Sequence, residues 1–138
     1  MKIDINKYLG RWHEIARIPN QFEPNMSNVT AEYSLMGNGD ILIVNSGFID
    51  TDFKAITAFA KTTEDDSILK VSFFPGIESN YKILAIEENY EYALVGGDDD
   101  NHLWLLGRTP YISLFDYVAF LRFAKMKGYN VEKMKITP

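Results

Sequence analysis

Few side chains in this chain could carry reaction chemistry. Cysteine is absent, which removes thiolate nucleophiles, Cys-ligated zinc, disulfides and cysteine lipidation together. Histidine occurs only at His13 and His102, so no His-rich metal site is expected. Asp98, Asp99 and Asp100 form an acidic triplet, but calcium loops alternate their ligands and place a glycine at the tight turn. The triplet reads as a solvated loop. His102 carries the right atoms to reach a haem iron, although a loop histidine among polar neighbours is ordinarily just solvated. Glu14 shares an inward face with Ala16 by alternation. Burial there would raise its carboxyl toward the general-base range; a paired or solvated carboxylate is the simpler expectation. No catalytic constellation emerges, no cofactor or metal is implied, and the chain is not expected to be an enzyme.

The elements that position these residues read almost entirely with period two before residue 110. Asn28 to Met36 sets Val29, Ala31, Tyr33 and Leu35 against Asn28, Thr30, Glu32 and Ser34, the pattern of a half-buried strand. Ser67 to Phe74 repeats it with Leu69, Val71 and Phe73 on one face. Turn signals separate the runs at short spacing, among them Gly37-Asn38-Gly39-Asp40, Pro75-Gly76 and Gly96-Gly97-Asp98. Eight strands follow, at 11–20, 28–36, 40–49, 53–62, 67–74, 80–87, 91–96 and 102–108. Short loops let each pair with its predecessor, which points to an all-β antiparallel sandwich or barrel, the closed form being an eight-stranded antiparallel up-and-down barrel. The pattern then changes. Ser113 caps a helix with Asp116 three residues on, a weaker form of the capping box. Gly128 stops that helix, and a final strand is expected from Asn130 to Ile136.

An eight-stranded barrel can hold one small ligand, and the inward positions here are apolar or aromatic. The chain has 138 residues and 15.8 kDa, 46% hydrophobic and 24% charged, so one domain over 1–138 is expected. Net charge is -5 with pI near 5.0. The basic residues read as scattered, without the stripe that phosphates require, so no nucleic-acid partner is expected. No apolar run approaches the ~18 residues of a membrane span. Met1 to Gly10 has alternating charge and no apolar core, unlike a signal peptide. The protein is expected to be cytoplasmic if Met1 is the native start, and periplasmic or secreted if a leader has been removed.

Three segments go beyond pattern: Tyr8-Leu9-Gly10-Arg11-Trp12-His13-Glu14-Ile15-Ala16, Tyr90-Glu91-Tyr92-Ala93-Leu94-Val95 and Leu103-Trp104-Leu105-Leu106-Gly107-Arg108-Thr109-Pro110. In that order and at eight-strand spacing they resemble the signature blocks of the lipocalin family, in its bacterial lipocalin and apolipoprotein D-like branch. The similarity runs from Tyr8 to Ile136. It implies that Trp12 lies across the closed end of the barrel with Arg108 stacked on its ring, a cation–π contact, and that Gly10 makes the tight turn beneath. These three residues are expected to hold the fold without touching ligand. The resemblance also implies a cavity faced by Tyr33, Asn45, Phe73, Tyr81 and Trp104, with Ala58 beside them. The mouth would be ringed by the loops at Gln21 to Asn25, Asp50 to Asp52, Pro75 to Ser79 and Asp98 to Asn101.

Departures from the family are visible. His13 stands where relatives commonly carry tyrosine, on a face expected to be exposed. The disulfides of many relatives and the N-terminal cysteine of bacterial lipoproteins have no counterpart. The implied function is binding and transport of a small hydrophobic or amphiphilic molecule, with a fatty acid or lysophospholipid favoured. The alternatives are a pigment or tetrapyrrole carrier, a lipid-acting barrel enzyme, and an interaction module with a filled barrel. In the helix, Leu114, Val118 and Leu121 form the stripe expected to pack on the barrel. That leaves Phe123 nearly opposite, flanked by Phe115 and Phe120, as a candidate face for a homodimer or a membrane surface.

Overall fold

The computed structural model describes residues 2–20, 25–74 and 77–138, apart from the side chains of Phe73 and Phe74. Eight antiparallel strands close into a barrel: β1 (Gly10–Arg17), β2 (Ser27–Leu35), β3 (Ile41–Ile49), β4 (Asp52–Thr62), β5 (Ile68–Phe74), β6 (Ile77–Ile86), β7 (Tyr92–Gly96) and β8 (Leu103–Gly107). Each pairs with the next. The first strand closes the ring by pairing on both sides, Gly10 to His13 with β2 and His13 to Arg17 with β8. A bulge between Glu14 and Ala16 bends β1 where it leaves β2. A short helix α1 (Ile5–Tyr8), capped by the Asp4 carboxylate on the Asn6 amide, precedes the barrel. Helix α2 (Leu114–Met126) follows it.

The final strand is far shorter than the expected 130–136. Only Lys135–Ile136, β9, pairs with β1, at Ala16 and Arg17. Val131–Lys133 forms a 3-10 turn instead, which brings the chain from α2 back to the barrel wall.

Two apolar cores explain which strands alternate and which do not. Inside the barrel, Trp12, Tyr33, Ile43, Ala58, Leu69, Ile83 and Val95 belong to one buried cluster. Outside it, Ile15, Leu94, Leu103 and Leu105 form a second with Ala124 of α2. The outer faces of β1, β7 and β8 are therefore covered by the helix, and these strands are buried nearly residue after residue. On β4 only Ala58 and Ala60 are buried.

The helix begins and ends where its caps stand. Ser113 Oγ accepts from the Asp116 amide at 3.1 Å. At the other end Tyr129 N donates to Ala124 O and Gly128 N to Lys125 O, with Gly128 at φ +95°, a complete Schellman motif. Its rotation differs from the expected one. Leu114 and Val118 are exposed, at 76% and 39%, while Tyr117, Phe120, Phe123 and Ala124 meet the barrel. Phe120 and Phe123 are thus not an exposed face; of that trio only Phe115 is. The two phenylalanine rings bury more apolar area than Leu114 and Val118 would, and Ala124 lets the helix axis come close.

Candidate ligand-binding site

Trp12 is fully buried at one end of the barrel, and its indole Nε1 donates to Tyr8 O at 2.8 Å. The Arg108 guanidinium lies 3.7 Å from the Trp12 ring centroid. Its nitrogens donate to Tyr90 O, Arg11 O and Lys7 O at 3.1, 2.9 and 2.8 Å. One side chain thereby ties α1, β1 and the β6–β7 turn together. Gly10 sits at φ +100° against this guanidinium, a conformation that L side chains resist.

Above that seal, Tyr8, Tyr81 and Tyr33 form a chain of phenols. Tyr81 Oη hydrogen-bonds both to Tyr8 Oη and, at 2.8 Å, to Tyr33 Oη. Burial, and then the neighbouring Tyr33, holds the Tyr8 hydroxyl well above the ordinary tyrosine range, and the same causes with Tyr8 added raise Tyr81. The phenols of Tyr8 and Tyr81 thus stay neutral hydrogen-bonding groups at every physiological pH.

The described side chains leave a cavity of about 420 Å3 over this floor. Tyr33, Asn45, Ala58, Tyr81 and Trp104 all line it, with Ile43, Val71, Val95 and Leu106 supplying apolar wall between them. The side chain of Phe73 lies outside the described residues. Asn20, Asn80, Asp98, Asp99 and His102 make a polar rim. Of the expected mouth loops, the stretches at 21–24 and 75–76 lie outside the described residues. A second hollow of about 340 Å3 lies on the outside, lined by Lys7, Arg108 and charged residues of the β6–β7 turn; Trp12 and Tyr8 separate it from the barrel interior.

The residues weighed for chemistry are held by internal partners. Glu14 reaches the cavity edge, yet its Oε2 accepts from Arg17 at 2.6 Å and from the Thr137 hydroxyl at 2.7 Å. Both side chains of this ion pair are about nineteen-twentieths buried, and Arg17 donates in addition to Met26 O. Asp98 accepts from Asn80 at 2.8 Å and faces Lys82 at 3.5 Å. Asp99 pairs with His102 Nδ1 at 2.6 Å, which brings that ring to the rim beside Trp104. No cluster of metal-ligating side chains occurs among the described residues. His13 is half-buried rather than exposed, and burial followed by Arg11 lowers its imidazole. Sequence reasoning missed Tyr8 as the deepest residue of the floor. No periodicity marks it, because Tyr8 ends a helix of four residues and Trp12 lies in the strand beyond Gly10.

A barrel sealed at one end and hollow within, its wall mostly apolar and aromatic with a few polar groups at floor, wall and rim, defines a binding protein for small apolar molecules. The sequence model of the lipocalin-like domain family matches residues 3–138, and the chain belongs to the lipocalin family, whose members bind small hydrophobic ligands. The outer membrane lipoprotein Blc of Vibrio cholerae is 35% identical over 136 residues, covering 95% of this chain and 80% of that protein. Apolipoprotein D of Mus musculus is 35% identical over 146 residues, covering 97% and 76%. Among solved structures, lobster apocrustacyanin A1 superposes with a TM-score of 0.78 at 16% identity, covering 96% of this chain and 77% of that one, a likeness of fold.

Proposed function

We propose that this protein binds and carries a single-chain lipid, a fatty acid or lysophospholipid, in its barrel. The observation that carries the reading is the cavity of about 420 Å3 with a wall dominated by apolar and aromatic side chains. Its size lies within the range of small-molecule pockets, roughly 300–1,000 Å3. Transfer of the acyl chain from water supplies the driving force, at ~25 cal/mol per Å2 of apolar area less the cost of ordering the ligand. The rim refines the choice. Asp98 and Asp99 stand at the mouth, so a zwitterionic headgroup is favoured there over a bare carboxylate. No reaction step is required, and the internal pairing of Glu14 supports a carrier rather than an enzyme. The likeness to outer membrane lipoproteins supports a place in the cell envelope.

Denaturing the purified protein, extracting it into organic solvent and weighing the extract by mass spectrometry tests this reading. A stoichiometric fatty acid or lysophospholipid is the expected result. Titration of delipidated protein with oleic acid and with lysophosphatidylcholine then reads the preference through tryptophan fluorescence. Trp12 is sealed away and Trp104 lines the cavity, so the change should vanish in Trp104→Phe. A blank extract together with no fluorescence response to either lipid overturns the proposal.

A further inference from the structure

Helix α2 is apolar nearly all round: only Asp116, Arg122 and Lys125 are polar among its thirteen residues. A helix of that kind is normally covered on both sides, and this one is not. Tyr117, Phe120, Phe123 and Ala124 lie on the barrel, whereas Leu114, Phe115 and Met126 are 76%, 83% and 82% exposed. At 100° per residue the uncovered side chains Leu114, Val118, Phe115 and Met126 fall within an arc of about 120°, and Arg122 and Lys125 fall in the same arc. Tyr111, just before the helix, is also exposed.

Charge decides what this face can meet. The acidic chain is not uniformly acidic along its length. Residues 117–138 hold Arg122, Lys125, Lys127, Lys133 and Lys135 against Glu132 alone, while residues 1–116 hold nine basic and eighteen acidic residues. We propose that the exposed face of α2 is a docking surface for an anionic lipid bilayer. Leu114, Phe115, Val118 and Met126 enter the headgroup boundary, with Arg122 and Lys125 paired to lipid phosphates. A symmetric contact with a second copy would set these cations against themselves; an anionic surface supplies the missing counter-charge.

The placement gives the docking a use. The Tyr92 hydroxyl donates to Tyr111 O near the sealed end, and the Tyr129 hydroxyl donates to Gly97 O at the β7–β8 loop of the rim. The helix therefore lies along the barrel from seal to mouth and ends beside the loop of Asp98 and Asp99. A molecule lying on α2 keeps its cavity mouth close to the bilayer plane. The docking itself does not depend on what the cavity holds.

Co-sedimentation of the delipidated full chain with vesicles tests the proposal, comparing phosphatidylcholine alone with phosphatidylcholine containing phosphatidylglycerol. Binding is expected to the anionic vesicles only, with a loss of at least about tenfold when salt shortens the screening length to roughly 3 Å. Phe115→Ser with Met126→Ser, and separately Arg122→Glu with Lys125→Glu, should each cost about tenfold or more. Both pairs are exposed, so unchanged circular dichroism will show that they fold. Phe53→Ser, an exposed apolar change on β4, should leave partition as it is. No binding to anionic vesicles, or binding that neither double variant weakens, overturns the proposal. So does a fall in solution mass from dimer to monomer in Phe115→Ser with Met126→Ser, which would assign the face to a second copy. Lipid extraction on the same preparation keeps a failure of the carrier reading separate from a failure of docking.

Discussion

The two ends of the barrel are built from similar residue types to opposite purpose. At the sealed end Trp12 and Tyr8 have no exposed surface, and the Arg108 donors rest on backbone carbonyls. At the other end Ile56 and Ile77 line the cavity while 40% and 68% exposed, and the residues of β4 before Phe59 have a described partner only in β3. Apolar side chains at the seal are spent on stability. Those at the mouth remain wet, and their burial is left for a ligand to complete. A carrier needs that asymmetry, because a mouth as well packed as the seal would leave nothing to gain on binding.

The largest effect expected is at the seal. Trp12→Ala should cost about 3–5 kcal/mol, the range for an aromatic removed from a packed core, read as a lowered midpoint in urea. Trp104→Ala should lose less stability, yet weaken lipid binding at least about tenfold, or roughly 1.4 kcal/mol. Equal losses of stability at the two tryptophans would break the division between the ends. Arg108→Met comes next. It keeps much of the side chain's bulk over Trp12 but orphans the carbonyls of Lys7, Arg11 and Tyr90, at about 1–3 kcal/mol. Arg108→Lys should recover only part of that loss, because an ammonium cannot reproduce the planar fork.

The floor phenols separate the ends by pH. Burial, then Tyr33, raises Tyr8 and Tyr81, so the native state holds their protons where the unfolded chain has lost them. Stability from this source is complete below the unfolded value near ~10 and declines as pH rises above it. Thermal midpoints should therefore fall from about pH 10 upward, and less steeply in Tyr81→Phe. Tyrosinate absorbance should show two of the eight tyrosines ionising only with unfolding. A profile as steep in Tyr81→Phe as in the parent would remove the floor from this account.

How much of this was legible in the sequence follows from which faces are wet. Strands β2, β3 and β5 alternate because water reaches one side, and their periodicity announces them. Strands β7 and β8 read only as apolar runs, because α2 covers their outer face. The helix was visible from Ser113 and Gly128, but its rotation was not. With three polar residues in thirteen, almost any phase satisfies the pattern, and three-dimensional fit against Leu94, Leu103 and Leu105 decides it. The Glu14–Arg17 pair was hidden for a different reason. Alternation turns Glu14 inward, but it does not name the partner, and only the fold brings Arg17 and Thr137 to the carboxylate and Met26 O to the guanidinium. Tyr8 lies in a helix of four residues, too short for any period to show.

The smallest expected effect is at the mouth and has the opposite sign in pH. The hydrogen bond from His102, then the Asn101 amide, holds the Asp99 carboxyl below the usual carboxylate range. A depressed carboxyl contributes stability above its unfolded value, near ~3.9, and loses it as pH falls through the folded value. Because this loop is exposed, solvent screens the contact, and acid should open the loop without unfolding the barrel. The Asn101 amide, 2.9 Å from Asp99 Oδ1, should titrate in NMR spectra with a midpoint below that of a free aspartate. In His102→Gln the midpoint should move up toward the free value, while the amides of β8 stay unchanged. A parent midpoint already at the free value would mean that the rim is not organised by this pair. Titration that spread into Leu103 and Leu105 would mean that mouth and seal are one cooperative unit, and the division between them would fail.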